Sequence, residues 1–176
     1  PTAKQAISDL KSIGVKKTVM LTGDAKAVAD AVAKDLGIDT VYSELLPGDK
    51  VDKVEELLEN RSEKEKLVFV GDGINDAPVL AGADVGAAMG SGADAAIEAA
   101  DVVFMNSEVA SINKAIAIAK ATSKIAWQNV VLALGIKGII MVAGLLGYAS
   151  MWGAVFADTG VAMLCVLNSV RVLYKK

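Results

Sequence analysis

The chain has 176 residues, 53% of them hydrophobic, with 18 basic and 21 acidic side chains and a formal net charge of −3. The lack of histidine and the single cysteine, Cys165, exclude imidazole acid–base chemistry, CxxC metal sites and an internal disulfide framework. Up to Asn129 acids outnumber bases, which argues against a nucleic-acid partner.

The first residue is Pro1 rather than Met, and the opening PTAKQAISDLKSIG has the spacing of an amphipathic helix, not of a signal peptide. We therefore expect the chain to begin inside a longer protein. Ala3, Ala6, Ile7, Leu10 and Ile13 recur at helical spacing over Thr2 to Ile13, and Gly14 ends that run. Thr18 to Thr22 is a short β-branched and apolar strand. Gly23-Asp24 turns it into an alanine-rich helix, about Ala25 to Leu36, closed by Gly37. Val41-Tyr42 reads as a weak strand. Pro47-Gly48 breaks the chain before a charged helix, about Lys50 to Asn60. Leu67 to Val70 is the strongest strand. A short helix follows it, then strands at Val85 to Met89 and Val102 to Met105. The alternation predicts an α/β fold, a mostly parallel sheet with helices on both faces.

The segment Gly71 to Pro78, GDGINDAP, follows the strongest strand. Its glycines are expected to let the backbone turn sharply and approach a ligand. Asp72 and Asp76 are hard oxygen donors, of the kind that hold Mg²⁺ beside a phosphoryl group. Ligands of parallel sheets gather at the carboxyl ends of the strands. Thr22, Gly23, Asp24, Asp72, Asn75 and Asp76 all fall at such ends. Asp24 also suits ordinary helix N-capping. Lys50, at the start of a helix, is either a solvated lysine or a phosphate partner.

From Val130 to Val170 the only charges are Lys137 and Asp158. Val130 to Ala149 and Met151 to Val170 are each long and apolar enough to cross a bilayer, with Ser150 between them. They predict a membrane hairpin in contact with lipid. Lys120 and Lys124 before it, and Arg171, Lys175 and Lys176 after it, place both ends on the cytoplasmic side. Gly135, Gly138, Gly144, Gly147, Gly153 and Gly160 are expected to allow close helix packing. Lys137 and Asp158 form either a structural ion pair or a carboxylate that binds a cation in transit, with a lysine that helps expel it. Cys165 reads as a small apolar residue, or as a soft ligand for a thiophilic metal.

Together TGD at Thr22 to Asp24, PGDK at Pro47 to Lys50 and GDGINDAP resemble the phosphorylation-domain motifs of P-type ATPases, which have a haloacid-dehalogenase-type fold. A lysine in one span and Asp158-Thr159-Gly160 in the next are similar to the last two membrane helices of the zinc-, cadmium- and lead-exporting branch. The resemblance covers essentially the whole chain. It implies a partial haloacid-dehalogenase-like phosphorylation domain over 1–107, a stalk helix over 108–129, and a transmembrane hairpin with a cytoplasmic tail over 130–176, in a multi-pass plasma-membrane protein. It implies that Thr22, with Gly23 and Asp24, contacts the phosphoryl oxygens and that Lys50 neutralises them. Asp72 would ligate Mg²⁺, with Asn75 and Asp76 completing the pocket. ATP would be bound in the full-length protein. Asp158 would bind exported Zn²⁺, Cd²⁺ or Pb²⁺, and Lys137 would be its charge partner. The family's nucleophile, the Asp of DKTGT, is absent from these residues. The chain then looks like a C-terminal piece that lacks the N-terminal portion of the pump. By the resemblance, the missing nucleophile strand lies between the TGD and GDG strands, so its loss should leave unpaired sheet edges. The alternatives are a membrane-tethered phosphatase and a non-enzymatic module completed by a partner chain.

Overall fold

The computed structural model describes residues 3–90, 92–106, 108–148 and 151–173. Thr2, Ala149, Ser150, Lys175 and Lys176, invoked above, lie outside them. The chain divides into two compact units, Pro1–Asn113 and Lys114–Lys176.

In the first unit the elements run α1 (Ala3–Ser12), β1 (Val19–Leu21), α2 (Lys26–Leu36), β2 (Thr40–Tyr42), α3 (Pro47–Glu59) and β3 (Val68–Gly71). A single 3-10 turn (Ile74–Asp76) follows, then α4 (Ala77–Gly82), β4 (Val85–Met89), α5 (Asp94–Ala99) and β5 (Val102–Phe104). Every strand pairing is parallel, with Val19 opposite Thr40, Val68 opposite Val85, and Ala87 opposite Val102. Among the described residues the strands form two sheets, not one: β1-β2, and β3-β4-β5. The TGD strand β1 and the GDG strand β3 are therefore each a sheet edge. That is the expected consequence of a missing strand between them.

Local chemistry explains most element boundaries. Gly37 ends α2 in the left-handed region at φ 75°, and its N–H donates to the Ala33 carbonyl. Pro47 does not precede α3 as expected but opens it, because the N1 position needs no N–H and suits proline's fixed φ. The Asp49 carboxylate accepts the Leu46 N–H at 2.8 Å and caps that first turn. Helix α5 was not foreseen: six residues are too few to show a period.

The core of this unit is built from small residues. Leu80, Ala88 and Ala96 are fully buried, with Phe69 and Ile97 packed against them. The small side chains of β4 let α4 lie close against it. A Cβ on Gly86 would stand 2.3 Å from the Leu80 carbonyl oxygen. Carboxylates tie the strand starts. Asp39 accepts the Thr18 N–H at 2.8 Å, the Thr18 hydroxyl at 2.7 Å and the Lys11 ammonium at 2.6 Å. Asp84 accepts the Leu67 N–H at 2.9 Å and the Arg61 guanidinium at 3.0 Å.

In the second unit α6 (Ala110–Leu145), which begins just before the unit boundary, passes Asn129-Val130 without a break. It stops short of the expected Ala149. Gly147, at φ 79°, and the Tyr148 N–H bonded to the Ala143 carbonyl close it. After it come α7 (Met151–Val155), one π-helical turn (Phe156–Gly160) and α8 (Val161–Val170). Both α6 and the stretch Met151–Val170 are long and apolar enough to cross a membrane. Val131, Leu134, Ile139, Met163 and Leu167 face outward, more than 60% exposed, as lipid-facing side chains would. Two of the glycines make no close packing contact. A Cβ at Gly135 or Gly138 would meet nothing within 4 Å among the described residues. Polar bonds join the helices. The Asn129 amide donates to Ser169 Oγ at 2.8 Å, and the Asn168 amide to Asn129 Oδ1 at 2.8 Å.

Candidate functional site

The first cluster lies at the carboxyl ends of β1 and β3. Lys50, in the first turn of α3, places Nζ 2.8 Å from Asp76 Oδ1 in the 3-10 turn after β3. Asp76 is 8% exposed, and its other oxygen accepts the Gly73 N–H at 3.4 Å. A lysine that reaches a buried carboxylate across the site has a fixed position, which a surface lysine lacks.

The glycines of GDGINDAP act through space, not backbone conformation. Gly73 has φ −93°, and neither Gly71 nor Gly73 is among the positive-φ glycines. A Cβ on Gly71 would stand 2.9 Å from the Cβ of Asp76, and one on Gly73 3.3 Å from Asp76 Oδ2. They leave room for the aspartate to fold back over the strand end.

Asp72 and Asn75 are exposed. Asp72 is held by its backbone, whose carbonyl accepts the Ala93 N–H at 3.0 Å. A Cβ on Gly92 would stand 2.5 Å from that same carbonyl. Sequence reading missed this support from Gly92 and Ala93. Only its glycine hinted at it.

Thr22 and Asp24 pair with each other: the Thr22 hydroxyl donates to Asp24 Oδ2 at 2.8 Å and accepts the Asp24 N–H at 3.1 Å. The capping alternative for Asp24 fails, since α2 is preceded by Ala25 with no side-chain cap. The turn is fastened to the loop that leads to Lys50. Leu45 N–H donates to the Thr22 carbonyl at 3.1 Å, and Glu44 N–H to the Asp24 carbonyl at 3.0 Å. Glu44 takes a left-handed φ of 59° to do so. No hydrogen bond joins Thr22 or Asp24 to Lys50 or Asp76 among the described contacts.

The second cluster belongs to the membrane unit. Lys137 Nζ of α6 lies 3.0 Å from Asp158 Oδ1 in the π turn, so two charges far apart in sequence meet as a pair. Cys165 donates to the Asn129 carbonyl at 3.7 Å, which favours a structural thiol over a metal ligand. Among the described residues no three acidic or cysteine side chains converge as a ready-made metal cage.

Comparison with known proteins agrees with this architecture. A family model of haloacid dehalogenase-like hydrolases matches residues 1–84. The chain is 56% identical, over 99% of its length, to a cadmium, zinc and cobalt-transporting ATPase of Bacillus subtilis, of which it covers 25%. It is 44% identical, again over 99%, to a zinc/cadmium/lead-transporting P-type ATPase of Escherichia coli, covering 23% of it. A solved zinc-transporting PIB-type ATPase in the E2.Pi state superposes with a TM-score of 0.89 at 44% identity. That match covers 97% of this chain and 27% of the other. Fold and sequence thus place the chain with the P-type ATPases, whose catalytic domain is haloacid-dehalogenase-like. Within that class it matches the C-terminal part of the zinc-, cadmium- and lead-transporting pumps. The chain spans about a quarter of the length of the curated relatives it matches.

Proposed function

We propose that this chain is the C-terminal portion of a pump that exports Zn²⁺, Cd²⁺ or Pb²⁺ across the plasma membrane at the expense of ATP, through an aspartyl phosphate. The observation that carries the reading is the pairing within each unit. Lys50 meets Asp76 at a strand-end site suited to a phosphoryl group, and Lys137 meets Asp158 between two membrane helices. DKTGT does not occur in the chain, so the accepting aspartate, and the site for ATP, come from the N-terminal portion of the pump.

The residues then divide the work. Lys50, fixed by Asp76, sets a positive charge against the phosphoryl oxygens. The Thr22 hydroxyl, oriented by Asp24, is a hydrogen-bond donor for the same group, and the Gly23 turn keeps the backbone near it. Asp72 suits Mg²⁺: an exposed carboxylate at a strand end, with a phosphoryl group and water as the remaining oxygen ligands. Bound there, Mg²⁺ would neutralise charge on the transferring phosphoryl group. Asp76 serves Lys50 in this scheme, and Asn75 lines the rim. Asp158 takes the exported ion, and Lys137 replaces the ion as its partner on release. Lys120, Lys124 and Arg171 put both ends of the hairpin in the cytoplasm.

The test is phosphorylation by ATP. The full pump should form an acid-stable, hydroxylamine-labile phosphoenzyme, and the 176-residue chain alone should form none. A phosphoenzyme on the isolated chain would defeat the assignment of the nucleophile to another segment.

A further inference from the structure

The π turn that carries Asp158 has a built cause. The Val161 N–H donates to the Phe156 carbonyl, five residues back, and to the Asp158 carbonyl, so the turn is wider than an α-helical one. Gly160 sits within it at φ −66°, ψ −42°, values any residue adopts. What glycine supplies there is space, not backbone freedom. A Cβ at Gly160 would stand 2.6 Å and 2.8 Å from two carbons of the Phe156 ring.

The helix beyond the turn is anchored. Val161, its first residue, is 1% exposed, and Cys165 and Asn168 continue that stripe toward Asn129 on α6. With α8 held, the shape of the turn decides where Asp158 points. One extra residue in a turn rotates what precedes it by about 100°, and its midpoint by about half that. At a side-chain radius near 6 Å that moves the carboxylate on the order of 5 Å. Such a shift is enough to undo the 3.0 Å contact with Lys137.

The geometry points to Gly160 as a positioning residue for the Asp158 carboxylate: the bare Cα lets the Phe156 ring lie across the π turn, and the turn presents the carboxylate to Lys137. The consequence for metal rests on the transport role of Asp158 proposed above. The geometric claim does not.

The test has two arms. In the first, the whole chain is placed in lipid nanodiscs as a Lys137→Cys/Asp158→Cys pair on a Cys165→Ser background, and cross-linking by a bis-methanethiosulfonate reagent long enough to replace the lysine side chain is timed. Adding Gly160→Ala should slow cross-linking about tenfold or more, and adding Phe156→Ala to that variant should restore it, because the ring it collides with is gone. Wild-type cross-linking in Gly160→Ala, or no recovery in the double variant, overturns the claim. In the second arm, Gly160→Ala in the full pump should raise the KM for Zn²⁺ about tenfold, with phosphorylation from inorganic phosphate unchanged and recovery on adding Phe156→Ala. An unchanged KM beside slowed cross-linking would sever the turn from metal binding. Retained metal stimulation in Asp158→Ala would overturn the transport role alone and leave the cross-linking result standing.

Discussion

Replacing Asp76 by Asn keeps the shape of the side chain and an acceptor for the Gly73 N–H, but removes the charge that faces Lys50. The two side chains are 11% and 19% exposed, so water cannot replace the lost partner in full. An exposed ion pair contributes about 0–1 kcal/mol, whereas orphaning one member of a buried pair costs about 3–5 kcal/mol. The pair lies nearer the second limit, and the expected loss is about 2–3 kcal/mol. Tryptophan fluorescence is blind to it, because Trp127 and Trp152 both lie in the second unit. Native-state hydrogen exchange reads it directly: amides of β3 and α4 should lose protection about 30- to 150-fold. The double variant Lys50→Met/Asp76→Leu should recover most of that loss, since no charge is left buried alone. A loss below about twofold in Asp76→Asn, or a double variant as unprotected as the single one, would refute the reasoning.

Acid should weaken the β1–β2 edge. The Lys11 ammonium, then the Thr18 N–H and hydroxyl, hold the Asp39 carboxyl far below the usual aspartate range. A carboxyl depressed in the folded state stabilises above its unfolded pKa, near 4, and loses that contribution as pH falls below it. Urea unfolding followed from pH 6 to pH 2 should show a loss that Asp39→Asn lacks. Gly86→Ala should cost about 1–3 kcal/mol, because the new Cβ meets backbone, the Leu80 carbonyl, which has no side-chain torsion to relax. Normal protection of β4 amides in that variant would count against the close helix–strand contact. In the full pump, Asp158→Ala should abolish metal-stimulated ATPase activity, and Lys137→Ala should slow turnover with little effect on folding. Wild-type stimulation in the first variant would remove the site.

Much of this protein was legible in one dimension because its signals are local. Strand β4 falls where the apolar run predicts, and Gly37 closes α2 as a left-handed cap. The apolar run after Met151 likewise spans the helical stretch that ends at Val170. These follow from propensity, capping and the length needed to cross a bilayer, all written within a few residues of one another. Even the split into two sheets was foreseeable, since a strand order that places a partner between β1 and β3 leaves two edges when that strand is elsewhere.

What only the tertiary structure decided are the distances between groups remote in sequence. Asp72 and Asp76 share a motif, yet one carboxylate stays exposed while the other turns inward to Lys50. Gly71 and Gly73 looked like turn residues and prove to be clearances for Asp76. Gly135 and Gly138 read as part of a packing face, yet a Cβ at either would meet nothing within 4 Å among the described residues. Lys137 and Asp158 stand out as the charges of the two spans, but their meeting depends on the π turn and on room beside the Phe156 ring. Sequence spacing sets which residues an element carries. Where their ends meet is set by packing, through excluded volume and burial that no local pattern records.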